Sequence, residues 1–217
     1  MNIALFGGAF DPVHSGHLAA AQAAQQAFRL DQVLFVPARL PPHKRGRPLT
    51  SLLHRYAMVA LACGGSPAFI PSLLEAGPEG STEPNYSIVT VRKLTEQLRG
   101  QDRLFFLIGA DAFLYIREWR EPVALLDSCD FIIVNRPGSS LAKIAEALPE
   151  GLRAGPETDE AQPVIPLRRT FLHLLTSVAS DISSSAIRQL ARQKESLAGL
   201  VPGAVEDYIH KVGLYCE

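Results

Sequence analysis

Cysteine is scarce in this chain. Its three cysteines, Cys63, Cys129 and Cys216, lie far apart and form no C-x-x-C pair. A disulfide framework and a thiolate zinc site are therefore not expected, and a reducing, cytoplasmic setting fits. Neither sign of charge is in excess: 21 Lys and Arg against 22 Asp and Glu give a net charge of −1. That balance speaks against a surface built to hold nucleic acid or a membrane face. No apolar run approaches the length needed to span a bilayer. The first one, Asn2–Phe6, has no basic segment before it and stops at Gly7-Gly8, so it reads as a core strand rather than a secretion signal. The chain also lacks a Walker A loop, a G-x-G-x-x-G fingerprint, a Ser/His/Asp pattern and paired carboxylates.

What is present is an ordinary folding composition, 47% hydrophobic and 20% charged over 217 residues. This length suits one domain over 1–217, with a small helical part from about 181. Apolar runs at Ile3–Phe6, Gln32–Val36, Phe69–Leu73, Leu104–Ile108, Phe131–Val134 and Phe171–Leu174 read as strands, several of them covered on both faces. Helical patterns at Gly16–Phe28, Leu52–Cys63, Ser87–Arg99 and Leu141–Leu148 alternate with them, and Val205–Val212 closes the chain. The alternation predicts an α/β fold: a Rossmann-like, doubly wound, mostly parallel sheet with helices on both faces. Gly77–Asn85 and Pro149–Pro166 read as plain loops. Such sheets bind ligands at the carboxyl ends of their strands. Gly7-Gly8, Pro37–Lys44, Gly109–Asp111, Asn135–Gly138 and Thr176–Arg188 all gather there.

Residues 7–18, Gly-Gly-Ala-Phe-Asp-Pro-Val-His-Ser-Gly-His-Leu, carry the clearest chemistry. Glycines admit a ligand close to the backbone. The helix that follows offers free N–H groups and a partial positive charge, which suit a phosphate. His14 and His17 share a face if that helix begins near Ser15. A lone histidine is usually structural, and a metal would require a third ligand that no nearby cluster supplies.

The other signals are weaker alone. Asp181–Arg188 can be a plain capped helix, yet Ser183, Ser184 and Arg188 also suit an anion. The basic loop Pro41–Arg47 is either a solvated charge run or an anion-recognition loop. Trp119, the single tryptophan, packs in the core or stacks on a flat ligand ring from a partly exposed position. Asp111 caps a helix or accepts from a ribose. Cys63 and Cys129 read as core residues. Glu75 has no evident partner.

Together these residues resemble the bacterial nicotinate-nucleotide adenylyltransferases of the nucleotidylyltransferase superfamily. The resemblance begins with Gly7–His17, in the register G-G-T-F-D-P-x-H-x-G-H. It continues through Pro41-Pro-His-Lys44, Asn85-Tyr-Ser-Ile88, Ile108-Gly-Ala-Asp111, Trp119, Arg136-Pro-Gly138 and Ile182–Arg188 to Leu200-Val-Pro and Tyr208-Ile, nearly the whole chain. Three positions depart from it: Ala9 replaces Thr, Val89 replaces an acidic residue, and Arg120 follows Trp119 where an aromatic is usual.

The resemblance implies transfer of AMP from ATP to nicotinate mononucleotide, with Mg²⁺ on the ATP phosphates and no metal held by protein side chains. It implies that Gly7, Gly8, Ala9, Phe10, His14 and His17 hold ATP phosphates, and that Ser183, Ser184 and Arg188 hold the β and γ groups. Gly109, Asp111 and Ile182 complete the ATP site, and His14, His17 and Arg188 are the catalytic set. For the mononucleotide it implies Trp119 on the ring, Tyr86, Ser87, His43 and Lys44 at the carboxylate, and Arg136 at the phosphate. ATP and nicotinate mononucleotide are then the partners, with no nucleic acid or membrane, and a homo-oligomer is compatible with the sequence. The alternatives are another adenylyl- or cytidylyltransferase of the superfamily, such as one acting on phosphopantetheine, and a nucleotide-binding module without catalysis.

Overall fold

Side chains in the first strand alternate between two cores. In a computed structural model describing residues 1–41, 49–77, 83–134, 141–155, 163–176 and 182–216, strand β1 runs Asn2–Gly8. Ala4 and Phe6 join one cluster, and Leu5 joins the other. The same period of two divides strand β4, Arg103–Gly109, with Phe105 and Leu107 on one side and Phe106 and Ile108 on the other. A strand buried on both faces needs apolar residues at every position, which explains the unbroken apolar runs.

The sheet has the order β3-β2-β1-β4-β5-β7-β6. Its remaining strands are β2 (Gln32–Pro37), β3 (Phe69–Pro71), β5 (Asp130–Val134), β6 (Val164–Pro166) and β7 (Phe171–Leu175). All neighbours pair in parallel except β6 on β7, which pair antiparallel. Chain order reverses between β1 and β4, and the crevice at their carboxyl ends is where such sheets accept ligands.

One face carries helices α1 (Ser15–Phe28), α2 (Leu52–Cys63), α7 (Ser184–Arg192) and α8 (Gly203–Val212), whose buried residues belong to one cluster. The cluster on the other face takes residues of α3 (Ser87–Thr95), α4 (Ala110–Phe113), α5 (Pro122–Leu126) and α6 (Leu141–Glu146). Cys63 and Cys129 are buried in these cores. No helix of the described residues is long and apolar enough to cross a membrane.

Three boundaries depart from the sequence reading. Pro149–Pro166 is not wholly loop: β6 closes the sheet edge, and Arg153 bridges to Leu167. Strand β3 ends at Pro71 on the sheet edge, and its pairing with β2 closes with the Ser72 N–H donating to the Phe35 carbonyl at 2.9 Å. Helix α3 stops at Thr95, because Gln97 and Leu98 N–H donate to Leu94 and Thr95 carbonyls, tightening the chain into an i−3 turn.

Candidate active site

A cleft of about 310 Å³ opens at the carboxyl ends of the strands, in the size range of small-ligand sites. Its wall is built from strands, from the segments that follow them and from helix starts. Phe6–Phe10 span the end of β1 and the turn after it, and Ala38 and Pro41 follow β2. Glu75 and Asn85 lie between β3 and α3, and Ser87 begins α3. Ile108 and Gly109 end β4, Ala112 and Trp119 follow it, Val134 ends β5, and Ile182 precedes α7. His14, Gly16, His17 and Ala20 come from the start of α1.

The glycines have different jobs. A methyl on Gly7 meets no protein atom within 4 Å, so this position borders open cleft. A methyl on Gly8 would lie 3.1 Å from the Phe10 ring. Phe10 is 2% exposed and holds a left-handed φ of 46°, a strained conformation for an aromatic residue. Its packing fixes that turn: the ring meets Phe6 edge-on at 5.5 Å and His17 at 5.0 Å.

His14 is the N-cap of α1, with extended backbone at φ −147°. Its ring is buried and lies 3.7 Å, centroid to centroid, from the His17 ring. The His14 backbone N–H donates to Nδ1 of His17 at 3.2 Å. An Nδ1 that accepts carries no proton, so the neutral His17 ring bears its hydrogen on Nε2. His17 is thereby set as a hydrogen-bond donor at the cleft wall. The Ser15 N–H is taken by the Leu200 carbonyl at 2.8 Å, and the ladder of α1 begins with His17 and Leu18 donating to the His14 carbonyl. Gly16, which lines the cleft, is a first-turn position whose N–H that ladder does not use.

Helix α7 is docked onto the same turn. Ser183 is its N-cap and accepts from Ala186 N–H at 3.2 Å; the Ser184 hydroxyl donates to the Pro12 carbonyl at 3.0 Å. Arg188 Nη1 donates to the Asp11 carbonyl at 2.7 Å, and Nη2 donates to Ser185 Oγ at 3.2 Å. Ser183, Ser184 and Arg188 thus stand beside the turn after β1 rather than in the cleft wall.

Of the other expected residues, Gly109, Ile182, Ser87 and Trp119 line the cleft. Trp119 is half-buried, its ring edge-on to Phe106 at 6.2 Å. Gly109 is the N-cap of α4 and Asp111 sits in its exposed first turn. Tyr86 is the N-cap of α3; the Arg120 guanidinium lies 4.7 Å above its ring, which gives that departure from the aromatic pattern a packing role. His43, Lys44, Arg136 and Asp181 lie outside the described residues. Among the described residues, no group of three His, Cys, Asp or Glu is arranged to hold a metal ion.

Two residues at the site escaped the sequence reading or were left unassigned by it. Arg55 is 1% exposed and ties the cleft residues Ala9 and Ala38 together, donating from Nη1 to both carbonyls at 2.7 Å, and from Nε to the Thr50 carbonyl at 2.8 Å. Desolvation lowers its pKa, against the opposing charge of Asp11. The signal was an arginine in the buried stripe Arg55, Met58, Val59, Ala62 of α2. Glu75 is 8% exposed in the cleft wall, and burial raises its pKa.

Residues 5–190 match the cytidylyltransferase-like family. The chain is 39% identical over 218 residues to a "probable nicotinate-nucleotide adenylyltransferase" of Geobacter sulfurreducens, covering 100% of this chain and 99% of that one. It is 36% identical to a protein of the same description from Moorella thermoacetica, covering 98% and 91%. In fold it is similar to Plasmodium falciparum nicotinic acid mononucleotide adenylyltransferase complexed with APC. The TM-score is 0.73 at 19% identity, with 99% of this chain and 97% of that chain covered.

Proposed function

The chain belongs to the nicotinate-nucleotide adenylyltransferases of the cytidylyltransferase-like family, and from that membership we propose that it transfers the adenylyl group of ATP to nicotinate mononucleotide. The products are nicotinate adenine dinucleotide and pyrophosphate. An oxygen of the mononucleotide phosphate bonds to the α-phosphorus. The bond from that phosphorus to the bridging β-phosphate oxygen breaks, and pyrophosphate leaves with the electron pair. A phosphate monoester is largely dianionic at neutral pH, so it needs no general base. Catalysis is then positioning of two anions plus stabilisation of charge on the transferred group.

In this reading Gly7, Gly8, Ala9 and Phe10 form the phosphate turn. Nε2–H of His17 donates to the α-phosphate, and His14 supports it. Arg188, with the α7 start at Ser183 and Ser184, meets the β and γ groups. Gly109, Asp111 and Ile182 contact the adenosine side. Trp119 stacks on the pyridine ring, the Tyr86–Ser87 amides with His43 and Lys44 receive its carboxylate, and Arg136 meets the mononucleotide phosphate. Mg²⁺ carried on the triphosphate supplies further charge neutralisation when bound. The donors of the cleft, imidazole and backbone N–H, suit phosphate oxygens rather than a cation.

The observation that carries this reading is the pair of closely apposed imidazoles beside a glycine turn, one of them fixed as an Nε2–H donor, in the crevice between β1 and β4. Pyrophosphate release from ATP tests it, measured with nicotinate mononucleotide, nicotinamide mononucleotide and phosphopantetheine in turn. The first is expected to be the preferred acceptor. Turnover with phosphopantetheine alone, or with none of the three, contradicts the proposal.

A further inference from the structure

Glu75 has no part in the reaction above, yet it is buried in the cleft wall and also borders a second hollow, of about 470 Å³, behind it. Its Oε1 accepts from the Thr90 hydroxyl at 2.7 Å, and both groups are buried. Its backbone carbonyl accepts from Nδ2 of Asn85 at 3.2 Å. Asn85 in turn accepts the Leu40 N–H on Oδ1 and donates its own N–H to the Leu40 carbonyl, both at 3.2 Å. One residue thus ties the stretch after β3 to the start of α3 and, through Asn85, to the strap after β2.

Tyr86 and Ser87 lie between the two points that Glu75 holds. The ladder of α3 begins with Val89 and Thr90 N–H donating to the Tyr86 carbonyl, so the Ser87 and Ile88 N–H groups precede it as first-turn donors. Tyr86 supplies no side-chain cap. The direction of those amides is therefore set by the contacts on either side. Without Glu75, the Thr90 hydroxyl has the Tyr86 carbonyl, already 3.4 Å away, as its remaining acceptor. That back-bond competes with the first rung of the helix.

We propose that Glu75 is a positioning residue for acid recognition: by holding Thr90 and Asn85 it aims the first-turn amides of α3 at the carboxylate of the pyridine ring. The inference rests on the adenylyl-transfer reading with nicotinate mononucleotide. It distinguishes Glu75 from a residue that merely fills space, because its effect is confined to one substrate.

The test is steady-state kinetics of the full chain carrying Glu75→Ala, Glu75→Gln or Thr90→Val, with ATP and the mononucleotide varied separately and the Tm of each variant measured. Glu75→Ala and Thr90→Val are expected to raise KM for nicotinate mononucleotide about tenfold while KM for ATP and kcat stay within about twofold. The double variant should be no worse than either single one, as for two members of one contact. Glu75→Gln, which keeps an oxygen for Thr90, should recover most of the loss. An unchanged KM for the mononucleotide in Glu75→Ala overturns the inference, and so does a joint shift of both KM values with a fall in Tm. A wild-type chain releasing no pyrophosphate with nicotinate mononucleotide would instead overturn the reading beneath it.

Discussion

The hydroxyl of Tyr215 donates to the carboxylate of Asp11 at 2.8 Å, across 204 residues of chain. Asp11 is 3% exposed, and its other carboxylate oxygen accepts the Thr50 N–H at 3.2 Å. Its carbonyl receives Arg188. The C-terminal segment therefore braces the turn that carries His14 and His17. Burial first, and then the neighbouring Asp11 charge, raise the Tyr215 pKa, so the phenol stays protonated as a donor throughout the working pH range.

Tyr215→Phe removes that donor and leaves a buried carboxylate short of one partner. A hydrogen bond to a charged group contributes about 1.5–3 kcal/mol, which is the expected loss of unfolding free energy. Urea denaturation measures it, and kcat/KM for ATP should fall with it. Unchanged stability would show that the turn does not depend on the tail.

Arg55→Met should be the most destabilising single change near the site. It leaves the Ala9, Ala38 and Thr50 carbonyls without their donor and removes one of the two guanidinium groups beside Asp11, the other being Arg188. A loss of about 3–5 kcal/mol is expected, as for breaking a buried charged contact. Arg55→Lys should restore only part of it, because an ammonium does not reproduce the planar fork. Equal stabilities of the two variants would contradict this.

Glu75 makes stability depend on pH. Burial raises its pKa above the ordinary 4.5, against the Thr90 hydrogen bond and the charges of Lys93 and Arg55. A carboxyl that holds its proton more firmly when folded favours the native state below the unfolded pKa. That contribution is lost as the pH rises through the folded pKa. Glu75→Gln should therefore flatten the decline in stability from about pH 4.5 upward, seen as the difference between denaturation curves of the two proteins. Parallel curves would remove Glu75 as the source.

The thiols should divide sharply by accessibility. Burial pushes the Cys63 thiol up to about 12 and raises Cys129 further, while Cys216 is exposed. A chromogenic disulfide reagent at neutral pH should titrate one thiol in the native protein and three after unfolding. Rapid reaction of a second native thiol would mean that a core opens.

Local pattern made much of this legible. Strands β1, β2, β4, β5 and β7 are apolar runs bounded by polar residues, and the histidines of the turn sit three apart on a helix start. Strand β6 was not legible, since its three residues, the last a proline and the first following one, gain a ladder only by pairing with β7. The braces were hidden for a different reason. Glu75 meets Thr90 15 residues on, Arg55 meets Ala9 46 residues back, and Asp11 meets Tyr215 at the far end of the chain. A sequence shows each as an isolated polar residue; only the packed fold brings its partner within reach.

The most direct test of the two-imidazole cradle is kcat/KM for ATP in His17→Ala, with nicotinate mononucleotide saturating and the Tm checked. A pre-aligned donor on a charge-bearing oxygen contributes roughly 10²–10³ in rate, so a loss of that size with the fold retained is expected. Turnover close to wild type in a folded His17→Ala protein would take His17 out of the reaction and the cradle with it.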